Sequence, residues 1–114
     1  MNNIELAYNY FKLSNESNMI EIEKLFKESI TYNSKNTGLY FGINNIIEMQ
    51  KSFHWSFKKL EWKIHSIEEI KPWIILIDYE FNWLKDTWEK VIDSWLEYII
   101  IHNEKIQHIE IKNK

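Results

Sequence analysis

From Trp73 to Trp83 every second residue is large and apolar, and Tyr98-Ile-Ile-Ile-His-Asn-Glu-Lys-Ile-Gln-His-Ile-Glu-Ile111 follows as a second apolar-rich stretch with Asn103-Glu104 at its middle. Side chains on a β-strand point alternately to opposite faces, so alternation over this length specifies a strand with one buried face. The second stretch reads as an antiparallel hairpin that turns at Asn103-Glu104 and has Ile109 and Ile111 on its inner face. The C-terminal third is therefore expected to be sheet. Trp73, Ile75, Ile77, Tyr79, Phe81 and Trp83 share one face of the first strand, while Ile74, Leu76, Asp78, Glu80 and Asn82 share the other. Asp78 and Glu80 are thus expected to point away from any pocket on the aromatic side.

The residues before this sheet carry helical signals. Asn2 with Glu5 spells a capping box, and Leu6, Ala7, Tyr10, Phe11 and Leu13 then fall on one helical face that ends near Ser14. Asn18 with Glu21 repeats the signal ahead of a short helix whose buried stripe is Ile22, Leu25 and Phe26. Ser29 to Ser34 is rich in β-formers and reads as a first strand, and Asn36-Thr-Gly38 is turn chemistry. Gly42 opens a third helix with Ile43, Ile46, Ile47, Gln50, Phe53 and Phe57 at helical spacing. Leu60, Trp62 and Ile64 alternate with Glu61, Lys63 and His65 as a half-buried strand, and Pro72 breaks it from the next, because proline has no amide hydrogen for a central ladder. Between Trp88 and Ile100 the apolar period suits helix or strand equally; the need of the final hairpin for a partner selects strand.

Composition narrows the function classes. The 114 residues are expected to form a single domain, 1–114, large enough to bury a core without a disulfide or metal staple. With no cysteine, thiol nucleophiles, disulfides and thiolate metal sites are excluded. The net charge of −3 argues against nucleic acid as a partner, and all 14 basic residues are lysine, so the bidentate arginine fork for carboxylates and phosphates is missing. No apolar run approaches the ~20 residues of a membrane span, and the polar Asn2, Asn3 and Glu5 stand where a leader would be basic then apolar; a soluble, cytoplasmic protein is expected. His65, His102 and His108 lack the spacing of a metal set, no serine sits in a nucleophile elbow, and two glycines make no phosphate cradle, so no metal or cofactor is expected.

The order helix, helix, strand, helix and four antiparallel strands resembles the nuclear transport factor 2-like superfamily, in its SnoaL-like and ketosteroid isomerase-like branch. The residues that carry the likeness are Tyr10-Phe11-Lys-Leu-Ser-Asn15, Leu25-Phe26-Lys-Glu-Ser-Ile-Thr-Tyr32, Thr37-Gly-Leu-Tyr-Phe-Gly42 with Ile46, and Glu97-Tyr-Ile followed by Glu104-Lys-Ile. The resemblance spans nearly the whole chain. It implies an α+β fold, a cystatin-like cone in which three N-terminal helices pack on a strongly bent, mostly antiparallel sheet, with a pocket at the open end. In the isomerase branch an aspartate base works with an oxyanion hole of tyrosine and a protonated aspartate. The tyrosine falls on Tyr10. The base falls on Asn33 or Ser34, neither of which takes a proton at neutral pH, and the second acid falls near Leu96, with Glu97 brought in only by a register shift. That mechanism is therefore not expected here.

The residues suggest other carriers. Tyr10 on its helical face is a candidate donor, weighed against a plain core tyrosine, and His54, one turn after Gln50, is a candidate base, weighed against a partly exposed histidine at the helix edge. Tyr32, Tyr40, Phe53, Trp62, Tyr79 and Tyr98 are candidate ligand-binding walls or polar tips. Six tryptophans suit either a cavity for a flat apolar ligand or an interface, and Trp95 and Val91, taken with Asp93 and Glu97, are assigned to an outer sheet face that pairs two copies into a homodimer. Two functions follow: a pocket protein that binds or transforms a small apolar metabolite, by isomerase, cyclase or dehydratase-type chemistry, or a non-catalytic homodimeric protein-interaction module on the same fold.

Overall fold

The computed structural model describes residues 1–114. Helices α1 (Asn3–Asn15) and α2 (Met19–Leu25) lead into strand β1 (Phe26–Ser34), then β2 (Gly38–Phe41) and helix α3 (Ile43–Trp55). Strands β3 (Lys59–Lys71), β4 (Ile74–Leu84), β5 (Lys90–His102) and β6 (Lys105–Asn113) complete a six-stranded sheet in the order β2-β1-β6-β5-β4-β3. All neighbours are antiparallel except β1 and β6, which run parallel. The fold is the α+β cone expected, and no helix is long and apolar enough to cross a membrane.

Both N-caps form, without the return bond to the cap amide that would complete a capping box. Asn2 Oδ1 accepts from the Glu5 amide at 2.8 Å while Asn2 Nδ2 donates to Glu5 Oε1 at 2.9 Å, and Asn18 Oδ1 accepts from the Glu21 amide at 3.2 Å. These bonds satisfy amides that have no partner inside a helix. Apolar stripes then turn Leu6, Ala7, Tyr10 and Phe11 of α1 and Ile46 and Ile47 of α3 onto the concave sheet face, where they meet Ile75, Ile77, Tyr79 and Phe81 of β4 and Ile99 and Ile101 of β5. The sheet bends through irregular pairing: between Ile64 and Ser66 of β3 one residue, His65, has no partner on β4, and further shifts occur near Ile70 and between Ile100 and Ile101. Extra residues of this kind increase local twist and curl a sheet.

Several boundaries differ from the sequence reading. Strand β1 begins at Phe26, the intended last turn of the second helix, because the backbone is already extended there and Phe26 buries itself as a strand residue facing Tyr10. Strand β2 was not foreseen; its four residues are too few for a period, and it forms by pairing Leu39 to Phe41 with β1. Helix α3 ends at Trp55, so Phe57 reaches the core from the following turn. Trp73 does not share the buried face of β4. It sits in the β3–β4 turn at a φ of 72°, half exposed, against His102 with ring centroids 4.3 Å apart.

The β5–β6 hairpin turns at Asn103 and Glu104, both at positive φ (52° and 60°). Two-residue hairpins favour this geometry because its twist matches that of the strands, yet a glutamate there carries a Cβ penalty. Glu104→Gly is expected to raise stability by up to about 1 kcal/mol, read as a higher urea midpoint with unchanged slope.

Candidate functional site

The cone closes over a cavity with about 40 Å³ of space for the centres of water-sized molecules. That is room for a few waters or for a guest of a few heavy atoms. Helical spacing brings Tyr10 and Ser14 to it from α1, and Gln50, Phe53 and His54 from α3; strand spacing brings Tyr32 and Ser34 from β1, and Trp95 and Glu97 from β5. Trp62 enters from β3. This edge strand is held to α1 by Asn15, whose Nδ2 donates to the Trp62 carbonyl at 3.0 Å and whose Oδ1 accepts from the Trp62 amide at 2.7 Å. The apolar wall is built around Phe81, with ring centroids at 4.8 Å to Trp62, 5.4 Å to Trp95 in a stacked arrangement and 5.5 Å to Phe53.

Polar groups interrupt this wall. Gln50 Nε2 donates to the Tyr10 hydroxyl oxygen at 2.7 Å, and the Tyr79 hydroxyl donates to Glu97 Oε1 at 3.3 Å. Glu97 is 3 % exposed, and its Oε2, like Gln50 Oε1, is buried with no hydrogen-bond partner. Burial pushes the Glu97 carboxyl up to about 8, only partly opposed by the Tyr79 hydrogen bond, so the acid is largely neutral at pH 7. Burial first, and the nearby Glu97 second, raise the Tyr10, Tyr32 and Tyr79 hydroxyls far above the usual tyrosine range, so all three remain neutral. His54 shares a 2.8 Å hydrogen bond between Nδ1 and Ser17 Oγ, and burial lowers it to about 4; it is an uncharged imidazole at neutral pH.

Of the residues singled out from the sequence, Tyr10, His54, Tyr32, Phe53 and Trp62 line the cavity, and Tyr79 reaches it through Glu97. Two do not. Tyr40 packs edge-on against Tyr32 at 6.2 Å and donates to the Thr37 carbonyl at 2.9 Å, in a separate shallow groove with Leu39 and Phe41. Tyr98 lies on the opposite sheet face, 5.7 Å beneath the Lys112 ammonium. The assignment of Trp95 and Glu97 to the outer face is overturned in the same way. Trp95 pairs with Tyr79 and Glu97 with Ile77, which puts both inside the cone, while Ile92, Leu96 and Tyr98 face outward. Gln50 is the functional candidate that the sequence reading passed over, and Glu97 the one it set on the wrong face. The usable signal was parity: Trp95 and Glu97 share their strand face with Ile99 and Ile101, the buried residues of the hairpin. Ser34 also faces inward, accepting from the Asn36 amide, whereas Asn33 turns out to donate to Glu110 at 2.6 Å. Asp78 points away, as expected, pairing with Lys114 on the outer face.

A helix-covered cone on a strongly bent, mostly antiparallel sheet is the nuclear transport factor 2-like fold, and the chain has that fold. Three solved structures illustrate the likeness. TerC, co-crystallised with polyporic acid, superposes with a TM-score of 0.85 at 9% identity, covering 98% of this chain and 91% of its own. A ketosteroid isomerase-like-fold protein from Catenulispora acidiphila DSM 44928, in complex with trimethylamine, gives a TM-score of 0.86 at 12% identity over 96% of this chain and 85% of its own. A nuclear transport factor 2-like protein of unknown function from Burkholderia pseudomallei K96243 gives 0.87 at 7% identity over 100% of this chain and 92% of its own. No protein-family model and no curated protein sequence matches the chain.

The buried acid makes stability depend on pH in a defined direction. A carboxyl whose folded-state value is raised holds its proton in the native state after the unfolded chain has released it, so stability falls with rising pH from the ordinary glutamate range up to about 8. His54, lowered to about 4, acts oppositely and offsets this fall up to the ordinary histidine value of 6.5. Between pH 6.5 and 8 the Glu97 effect outweighs what remains of the His54 effect, and unfolding free energy is expected to drop by about 1 kcal/mol. Urea titrations across this range should show the drop in the native protein and its loss in Glu97→Gln.

Proposed function

We propose that the cavity binds a small, mostly apolar molecule and holds its polar end against Glu97, Gln50 and Tyr10. The observation that carries this reading is the pair of buried, unpartnered oxygens, Glu97 Oε2 and Gln50 Oε1, beside an aromatic cavity. Buried polar atoms in folded proteins nearly always have partners, so a guest in the cavity, displacing any water held there, would supply theirs. The polyporic acid of TerC and the trimethylamine of the Catenulispora protein support small-molecule binding as a use of this fold. Tyr10 and His54 are the groups for proton movement in this reading. The Tyr10 hydroxyl accepts from Gln50 and keeps its own proton to donate, and the uncharged His54 imidazole is able to accept one. The resemblance maps the isomerase base onto Asn33 or Ser34; Ser34 lines the cavity and neither side chain takes a proton at neutral pH, so a reaction here would not follow the isomerase route.

A second reading rests on the modest cavity volume together with exposed aromatic side chains: Trp55, Trp88 and Phe41 are each more than three-fifths exposed. In it, the scaffold serves protein interaction. In either reading we propose a homodimer through the outer sheet face, where Leu76, Ile92, Leu96 and Tyr98 would supply the contact.

Because Trp62 and Trp95 line the cavity, a guest should register in tryptophan emission as well as in thermal stability. A panel of small amines, ketones and aromatic acids is expected to yield a binder that shifts both, and Tyr10→Phe should weaken it at least tenfold, about 1.4 kcal/mol. A panel without effect on either signal, with Leu96→Lys dissociating a dimer whose aromatic surface captures a protein, would transfer the function to the second reading.

A further inference from the structure

The cavity contains acceptors without a cation. Glu97 Oε2 and Gln50 Oε1 lack partners, the two side chains are 3% and 7% exposed, and none of the lining residues is a lysine. The surrounding walls are rings, from Tyr10, Tyr32, Phe53, Trp62 and Trp95. Aromatic faces carry the negative end of a quadrupole and attract cations, most strongly where water is excluded. A carbonyl guest would accept from a protonated Glu97 and leave the Gln50 oxygen as it is. A guest with two N–H donors offers a partner for each of the two atoms, and its charge matches an ionised carboxylate. The space, about 40 Å³ for water-sized centres, confines such a guest to a few heavy atoms.

Resting on the small-ligand reading above, we propose that the guest is a small protonated primary or secondary amine, its N–H groups donating to Glu97 Oε2 and Gln50 Oε1 and its alkyl part lying against the aromatic rings. Binding is non-covalent. The amine enters as the cation, and the proton that Glu97 holds in the empty cavity passes to solvent. The titratable groups on the elements that face Glu97 are Tyr10 of α1, Tyr32 of β1, His54 of α3 and Tyr79 of β4. The tyrosines are displaced far upward and His54 to about 4, so of these groups only Glu97 changes charge between pH 7 and 9.

Isothermal titration calorimetry with propan-2-ylammonium chloride, and with acetone as the neutral molecule of similar shape, tests the assignment. The amine should bind at least tenfold more tightly than acetone. Its affinity should rise about tenfold from pH 7 to pH 9 as Glu97 ionises, since a simple amine retains its proton to about pH 10. The heat at pH 7 should vary with buffer in proportion to the proton released. Glu97→Gln, whose folding is checked by its thermal transition, should lower amine affinity at least tenfold and abolish the pH dependence. Acetone binding as tightly as the amine, or amine affinity indifferent to pH in the native protein, overturns the amine assignment and leaves the small-ligand reading standing. Absence of binding by both probes and by the wider panel overturns the two together.

Discussion

The pairing of β4 with β5, in which Tyr79 meets Trp95 and Ile77 meets Glu97, is the constraint on which the interior depends. Because strand side chains alternate strictly, this one register sends Ile75, Ile77, Tyr79 and Phe81 inward together with Trp95, Glu97, Ile99 and Ile101. A slip by one residue would bring Asp78 and Glu80 into the core and expel the aromatic row. The concave face so formed is covered by α1 and α3, and Asn15 fixes the edge strand β3 so that Trp62 completes the wall.

Glu97 is the costly element of that interior. An ionised carboxylate without a cation partner would be strongly unfavourable at 3% exposure, whereas a neutral acid is tolerable when one oxygen is hydrogen-bonded. The protein adopts the second solution in the empty cavity, with Tyr79 as donor and tyrosine hydroxyls raised by the same burial. A carboxyl whose protonation is decided by what lies beside it would couple binding of a cation in the cavity to proton release, and this chemical property separates the site from an ordinary hydrophobic core.

Much of the fold was legible because its signals are local. The Asn2 and Asn18 caps, the alternation of β3 and β4, and the Asn103-Glu104 turn depend on residues within a few positions of one another. Strand β2 was not legible, since four residues have no period of their own and pair only because β1 offers an edge. Phe26 was misread because helix and strand both bury it. Tyr40 and Tyr98 were drawn toward the site by residue type alone, and type does not say which face a side chain occupies.

The sequence by itself determined the α+β class, the helix boundaries set by caps, and the residues able to fill a core. Tertiary structure decided which face of β5 is inside, and with it that Glu97 rather than Tyr98 meets the cavity. The physical reason is that a β-strand's pattern fixes the alternation of its two faces but not their assignment. In β5 both faces are rich in large apolar residues, and only the partners Ile77, Tyr79 and Ile111, brought from distant parts of the chain, assign one of them to the interior.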